Sequence, residues 1–132
     1  METIFTKIIN GTIPSYKIAE DEFFYAFLDI NPLAEGHTLV VPKLAVDYIF
    51  DIEDQLLGNM MIFAKKIAIA IEKNIRCKRI GITVIGLEVP HAHIHLVPIN
   101  DIYDIDFQKE KLKLSADRFA EIARMIANTV QL

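Results

Sequence analysis

The run His91-Ala92-His93-Ile94-His95-Leu96-Val97-Pro98 constrains the fold of this chain more than any other segment. Histidines alternate in it with apolar residues, and side chains of a β-strand alternate between faces with a rise of roughly 3.3 Å per residue. Read as a strand, the run turns His91, His93 and His95 to one face at intervals of about 6.6 Å and sends Ala92, Ile94 and Leu96 to a core on the other. Imidazole is the side chain best suited to nucleophilic or acid/base work near neutral pH, and it is also the commonest metal ligand. The chain has four histidines in all, so three on one strand face point to chemistry rather than to an incidental polar surface.

The rest of the chain supplies a frame for that strand. Residues 3 to 10 suit a short helix ended by Gly11 and by Ile13-Pro14. Phe23 to Ile30 reads as an aromatic-rich strand with Phe27 and Asp29 on one face, turned by Asn31-Pro32. Residues 37 to 42 read as a buried strand launched by Gly36, with His37, Leu39 and Val41 on one side. From Glu53 to about Asn74, Leu56, Met60, Ala64, Ile67 and Ile71 recur at the spacing of an amphipathic helix, with Asp51 as its expected N-cap. Ile62 and Ile69 fall on its otherwise polar face, as strays or as contacts with a partner. Arg79 to Ile85 is strand-like and, across a Gly86 to Pro90 connection, is expected to pair with the histidine strand. Residues 101 to 113 carry acids, lysines and aromatics without a period and read as a surface excursion. Ser115 then caps a last helix with Phe119, Ile122, Ile126 and Val130 as its buried stripe. The sum is an α+β fold: a mainly antiparallel sheet, one long helix packed on it, and a C-terminal helix.

A chain of 132 residues fits one domain, here residues 1–132 with a core of 1–100 and an extension of 101–132. Its net charge of −4 and the lack of a Lys/Arg block argue against polymeric nucleic acid as a partner, since duplex binding needs a clustered basic footprint. A small nucleotide is compatible, because backbone N–H groups can hold phosphate. With Cys77 as the single cysteine there is no internal disulfide, which fits a reducing cytoplasm. Met1 to Asn10 lacks the pattern of a signal peptide, and Met60 to Ile71, broken by Lys65 and Lys66, is too short to span a bilayer, so no membrane association is expected. The 52% hydrophobic content leaves apolar surface that a subunit interface would use.

The run His91-Ala-His93-Ile-His95-Leu-Val resembles the His-φ-His-φ-His-φ-φ signature, φ being apolar, of the histidine triad nucleotide hydrolases and transferases. Ile4-Phe5-Thr6-Lys7-Ile8-Ile9-Asn10-Gly11, Ile13-Pro14, Ala26 to Pro32 and Gly36 to Lys43 look like the family's other blocks in order and spacing. The resemblance spans residues 4 to 98 and implies a nucleotide pocket edged by the triad strand, usually in a homodimer, with a purine nucleotide or nucleotide conjugate as ligand and no cofactor. It implies that His93 attacks the α-phosphorus and carries a transient nucleotidyl group, a covalent route that splits one hard displacement into two. By the same resemblance His95 donates to the non-bridging phosphate oxygens, while His91 and His37 support the other imidazoles. Asp29 matches a ribose-binding acid, and Ile4, Ile8, Phe27 and Ile30 would wall the base.

Two departures stand out. Many relatives hold a structural zinc on two cysteines, a histidine and the first triad histidine; here those positions read Thr3, Thr6 and Ala45 beside His91, so no metal is expected. Just before the triad, relatives carry Gly-Gln-Ser/Thr, whereas this chain keeps Gly86 but has Leu87 and Glu88. A carboxylate about 5 Å from a phosphate oxygen costs roughly 3 kcal/mol at an effective dielectric near 20. Glu88 therefore either turns to solvent or, protonated, serves the leaving group as a general acid. The leading reading is a nucleotidyl hydrolase acting at the α-phosphate of a purine nucleoside monophosphate conjugate. A non-catalytic dimeric nucleotide-binding protein is the alternative, and a metal enzyme ligated by the three histidines is a third.

Overall fold

The computed structural model describes residues 1–132. Five strands form one antiparallel sheet in the order β1-β2-β3-β5-β4: β1 (Lys17–Glu20), β2 (Phe24–Leu28), β3 (Thr38–Pro42), β4 (Arg79–Thr83) and β5 (Ile94–Ile99). Three helices accompany it, α1 (Ile4–Ile9), α2 (Asp54–Asn74) and α3 (Ala116–Ala127). The expected pairing of β4 with the histidine strand is present, with Thr83 opposite His95.

The two faces of the sheet are separated by the period-2 alternation. Phe24, Ala26 and Leu28 of β2, Val40 of β3 and Ile94 and Leu96 of β5 face a core completed by Met60, Phe63, Ala64, Ile67 and Ile71 of α2 and Phe119, Ile122 and Ile126 of α3. The alternate residues Tyr25, Phe27, Leu39 and Val41 form a second cluster with Phe5 and Ile8 of α1 on the opposite face. Because both faces are covered, every residue of β2 and β3 is buried, which is why these strands read as nearly continuous apolar runs. His95 pairs with Leu39, and Leu39 with Phe27, so a row of three side chains crosses the α1 face.

Several boundaries differ from expectation. The alternation predicts an extended run from His91, but β5 begins at Ile94; His91 and His93 lie in the irregular approach to it, where their polar atoms bind groups outside the ladder. The histidines and their apolar neighbours nonetheless segregate as the alternation requires, Ala92 packing in the α2 core and His91 and His93 against Phe5 of α1. The N-cap of α2 is Glu53, whose carboxylate accepts from the N–H groups of Gln55 and Leu56. Asp51 instead ends a 3-10 turn over Ile49–Asp51, which buries Ile49 and Ile52 before the helix starts. Strand β1 was not anticipated: Lys-Ile-Ala-Glu has little strand propensity and only Ile18 is buried, as suits a short edge strand.

Thr3 starts α1 through a reciprocal capping arrangement, accepting from the N–H groups of Phe5 and Thr6 while the Thr6 hydroxyl accepts from the N–H of Thr3. Gly36, at φ +93°, turns the chain into β3. A Cβ there would lie 2.9 Å from Cγ1 of Ile75, so both backbone and packing require glycine. No helix is long and apolar enough to cross a membrane.

Candidate active site

A pocket of about 420 Å³ opens on the α1 face. His93, His95, Asp29, Ile30, Phe27, Ile4, Ile8, Gly86 and Glu88 all line it. His91 and His37 do not; both are buried behind it, at 0% and 1% exposure. Of the two isoleucines at its mouth, Ile4 is 49% and Ile30 64% exposed, which sets them apart from the core residues Phe27 and Ile8.

Hydrogen-bond partners determine the protonated nitrogen of each neutral imidazole, because a carbonyl can only accept and an N–H can only donate. The carbonyl of His91 lies 2.7 Å from Nδ1 of His93, so that nitrogen carries the hydrogen and Nε2 keeps a lone pair. Leu33 N–H donates to Nδ1 of His37 at 2.9 Å, so His37 is protonated on Nε2. That N–H donates to Nδ1 of His95 at 3.0 Å, which leaves His95 with an N–H at Nε2. The Nε2–H of His91 donates to the carbonyl of Pro42 at 2.8 Å, and its Nδ1 accepts from the hydroxyl of Thr3, also at 2.8 Å. No buried side-chain nitrogen or oxygen lacks a hydrogen-bond partner. Nε2 of His93 and Nε2 of His95 have none, so both open to the pocket. One presents a lone pair and the other a hydrogen.

Burial keeps the supporting imidazoles neutral. It pushes His37 down to about 3, with the charges of His95 and Lys111 acting in the same direction. His95 is lowered to about 4 by burial and by His93. His91 is lowered by burial despite the opposing hydrogen bond to Pro42. Asp29 is raised, chiefly by burial, while the Asn31 N–H that its carboxylate accepts at 2.8 Å works the other way.

Asp29, His37 and His95 gather their ligand atoms within 4.8 Å of one another, the spacing of a metal site. Their chemistry does not suit one: Leu33 N–H occupies Nδ1 of His37, so Nε2 holds a hydrogen and offers no lone pair. The three-histidine metal site fails for a similar reason, since both nitrogens of His91 bind protein groups. Thr3 and Thr6 provide hydroxyls rather than thiolates and are engaged in the α1 cap, so the residues present do not fit a zinc there either.

On the far side of the pocket the Ile85 to Val89 segment forms a wall. Gly86 takes φ +76°, Leu87 points outward at 88% exposure, and Glu88 is exposed at the rim. Its charge still reaches Asp29, whose carboxyl it helps to raise.

The segment expected to be a surface excursion enters the site. Phe107 and Lys111 both line the pocket. The Phe107 ring meets His95 edge to face at a centroid distance of 4.7 Å and His37 at 6.0 Å. The only sequence signal for this is an aromatic residue among Asp106, Gln108, Lys109 and Glu110 with no apolar neighbours to join in a core.

The sequence profile of the HIT domain family matches residues 10–102. A HIT-like protein of Borreliella burgdorferi is 35% identical over 137 aligned residues that cover 98% of this chain and 99% of that protein. The adenosine 5′-monophosphoramidase HNT1 of Saccharomyces cerevisiae is 41% identical over 99 residues, covering 74% of this chain and 63% of the yeast protein. Among solved structures, the HIT-like protein of Bartonella henselae superposes with a TM-score of 0.83 at 29% identity, covering 97% of this chain and 96% of that one. With the histidines, the sheet and the profile in agreement, this chain belongs to the HIT family.

Proposed function

We propose that this protein is a nucleotidyl hydrolase acting at the α-phosphate of a purine nucleoside monophosphate conjugate, with His93 as nucleophile. The observation that carries the reading is the pair of open nitrogens: a lone pair on Nε2 of His93, fixed by the His91 carbonyl, and an N–H on Nε2 of His95, fixed through His37 by the Leu33 N–H. In the first step Nε2 of His93 bonds to the α-phosphorus and the bond from phosphorus to the leaving group breaks. For a phosphoramidate, the electron pair departs with nitrogen, which takes a proton from water. His95 donates to a non-bridging oxygen, where negative charge grows in the transition state. Water then attacks phosphorus and gives its proton to the hydroxide left by the first step, the N–P bond breaks, the pair returns to His93, and the nucleoside monophosphate leaves. Ile4, Ile8, Phe27 and Ile30 would hold the base and Asp29 the ribose hydroxyls. The yeast relative's phosphoramidase name supports the choice of a phosphoramidate as probe.

Release of AMP from adenosine 5′-phosphoramidate, compared between the intact protein and His93→Gly, tests this. Loss of release in the variant is expected. AMP binding without release by either protein would replace hydrolysis with the non-catalytic reading. Glu88, exposed at the rim, acts as a solvated acid on this reading, and Glu88→Gln should leave the rate and its pH profile unchanged.

The working unit in this reading is a homodimer. Strand β4 is one of the sheet's two edges, and beside it lies a cleft of about 850 Å³ bounded by Tyr48, Phe50, Met61, Ile82, Val84 and Ile85. Phe50 is 72% exposed, and an apolar cleft along an open edge strand is what a second chain would cover. Ile85 and Gly86 line both cleft and pocket, so a partner there would brace the pocket wall. Light scattering should give twice the 15.0 kDa chain mass, and Ile82→Glu should return it to one.

A further inference from the structure

Only one lysine or arginine lines the pocket, Lys111, against two carboxylates, Asp29 and Glu88. It comes from the segment after β5 that carries no part of the triad. That segment is tied down beside the site at two points. Leu112 N–H donates to the carbonyl of Pro32 at 2.9 Å, which joins the residue after Lys111 to the turn following Asp29. Phe107, four residues earlier, packs edge to face on His95.

The ammonium of Lys111 is also held locally. It donates to the carbonyls of Phe107 and Lys109 and sits 5.9 Å from the centroid of the Phe107 ring. An ammonium has three hydrogens, so one remains for a ligand. Its field reaches the site: Lys111 lowers both Asp29 and His37. The histidines facing the pocket supply a lone pair and a single N–H but no fixed charge. Among the lining side chains Lys111 is the only fixed positive charge, so it is the one full opposite charge that an entering phosphate meets.

We propose that Lys111 is the phosphate-binding cation of this site, delivered by the segment 101–113 and aimed by the Leu112–Pro32 and Phe107–His95 contacts. The assignment rests on the nucleotide reading above and extends it: the ligand is recognised through an anionic phosphate, not through base and ribose alone.

Titration of the intact protein with AMP and with adenosine, repeated for Lys111→Met and Lys111→Arg, tests it. Lys111→Met should weaken AMP at least tenfold and leave adenosine within about twofold, while Lys111→Arg, which keeps the charge, should stay within about threefold for both. The wild-type affinity for AMP should fall with added salt, and this dependence should shrink in Lys111→Met. Equal AMP affinity in wild type and Lys111→Met would overturn the assignment and leave the nucleotide reading standing. Parallel losses for AMP and adenosine would also overturn it, since they mark a merely structural role. If the wild type binds neither compound, the nucleotide reading itself fails and this assignment with it.

Discussion

The hydroxyl of Thr3 lies 2.8 Å from Nδ1 of His91, and the carbonyl of His91 in turn holds the ring of His93. The first residue ahead of α1 is thus two hydrogen bonds from the proposed nucleophile. A buried hydrogen-bond cluster centred on Thr3 joins α1 to the triad. Replacing Thr3 by Val removes the helix cap, worth about 1 kcal/mol, and leaves Nδ1 of His91 buried without a donor, a further 1–3 kcal/mol or so. A loss of about 2–4 kcal/mol in urea unfolding is expected, with Thr3→Ser retaining most of the stability. A Thr3→Val protein as stable as wild type would remove the cluster from the account.

His37 links the backbone to His95. Its Nδ1 takes the Leu33 N–H and its Nε2–H sets the hydrogen of His95. In His37→Leu the Leu33 N–H loses its acceptor and His95 is free to carry its hydrogen on Nδ1, which turns a lone pair toward the phosphate. The turnover number with adenosine 5′-phosphoramidate should fall about 10- to 100-fold, a barrier rise of about 1.4–2.7 kcal/mol, with KM little changed because His37 does not line the pocket. A folded variant with wild-type turnover would show that the hydrogen position on His95 is immaterial.

Protonation of the buried histidines opposes folding. His37 and His95 are depressed to about 3 and about 4 in the native protein, against about 6.5 in an unfolded chain. Between about pH 6.5 and 4 the unfolded chain therefore binds protons that the native protein does not, and stability falls as the pH falls. Each group contributes up to roughly 1.4 kcal/mol per pH unit in that window. The slope is half its maximum near pH 6.5 and fades about a unit above it. Urea unfolding at pH 7.5, 6 and 5 should show stability falling over the first step and falling more steeply, per pH unit, over the second. A profile flat from pH 6.5 to 5 would mean that these imidazoles charge without penalty.

Much of this arrangement is legible in the sequence because it rests on local alternation. Ala92, Ile94 and Leu96 go to the α2 core, and His91, His93 and His95 to the α1 face, for the same reason that Phe27 and Leu39 do: two covered faces and a period of two. Asp29 is indicated only by the resemblance of the block Ala26 to Pro32, and it lines the pocket. What was not legible depends on tertiary placement. Lys111 reaches the pocket through a hydrogen bond from Leu112 to Pro32, eighty residues earlier in the chain, and no periodicity encodes such a contact. Strand β1 is helical by composition and becomes a strand only because β2 offers an edge to pair with. The cap of α2 fell on Glu53 rather than Asp51 because burying Ile52 draws the chain through a 3-10 turn first.

The C-terminal helix is attached both by ion pairs and by buried apolar side chains, and burial separates their weights. Arg118 makes a two-pronged contact with Glu35, Nε and Nη2 donating to the carboxylate at 2.8 and 2.7 Å, and also reaches Glu121. These side chains are substantially solvent-exposed, so water and salt screen the attraction and ordering the long side chains offsets part of it. Ile122, four residues on, is fully buried among the residues of α2 and the sheet. Its truncation to Ala removes three methyl or methylene groups from a packed core and should cost about 2–5 kcal/mol. Arg118→Met should cost much less than Ile122→Ala, and its effect should vanish in high salt while that of Ile122→Ala persists. Comparable losses in the two variants at high salt would mean that the helix is held by the ion pairs, against the burial argument. Because α3 follows directly on the segment bearing Phe107 and Lys111, Ile122→Ala should also lower AMP affinity before global unfolding, a coupling that titration at increasing urea concentration would detect.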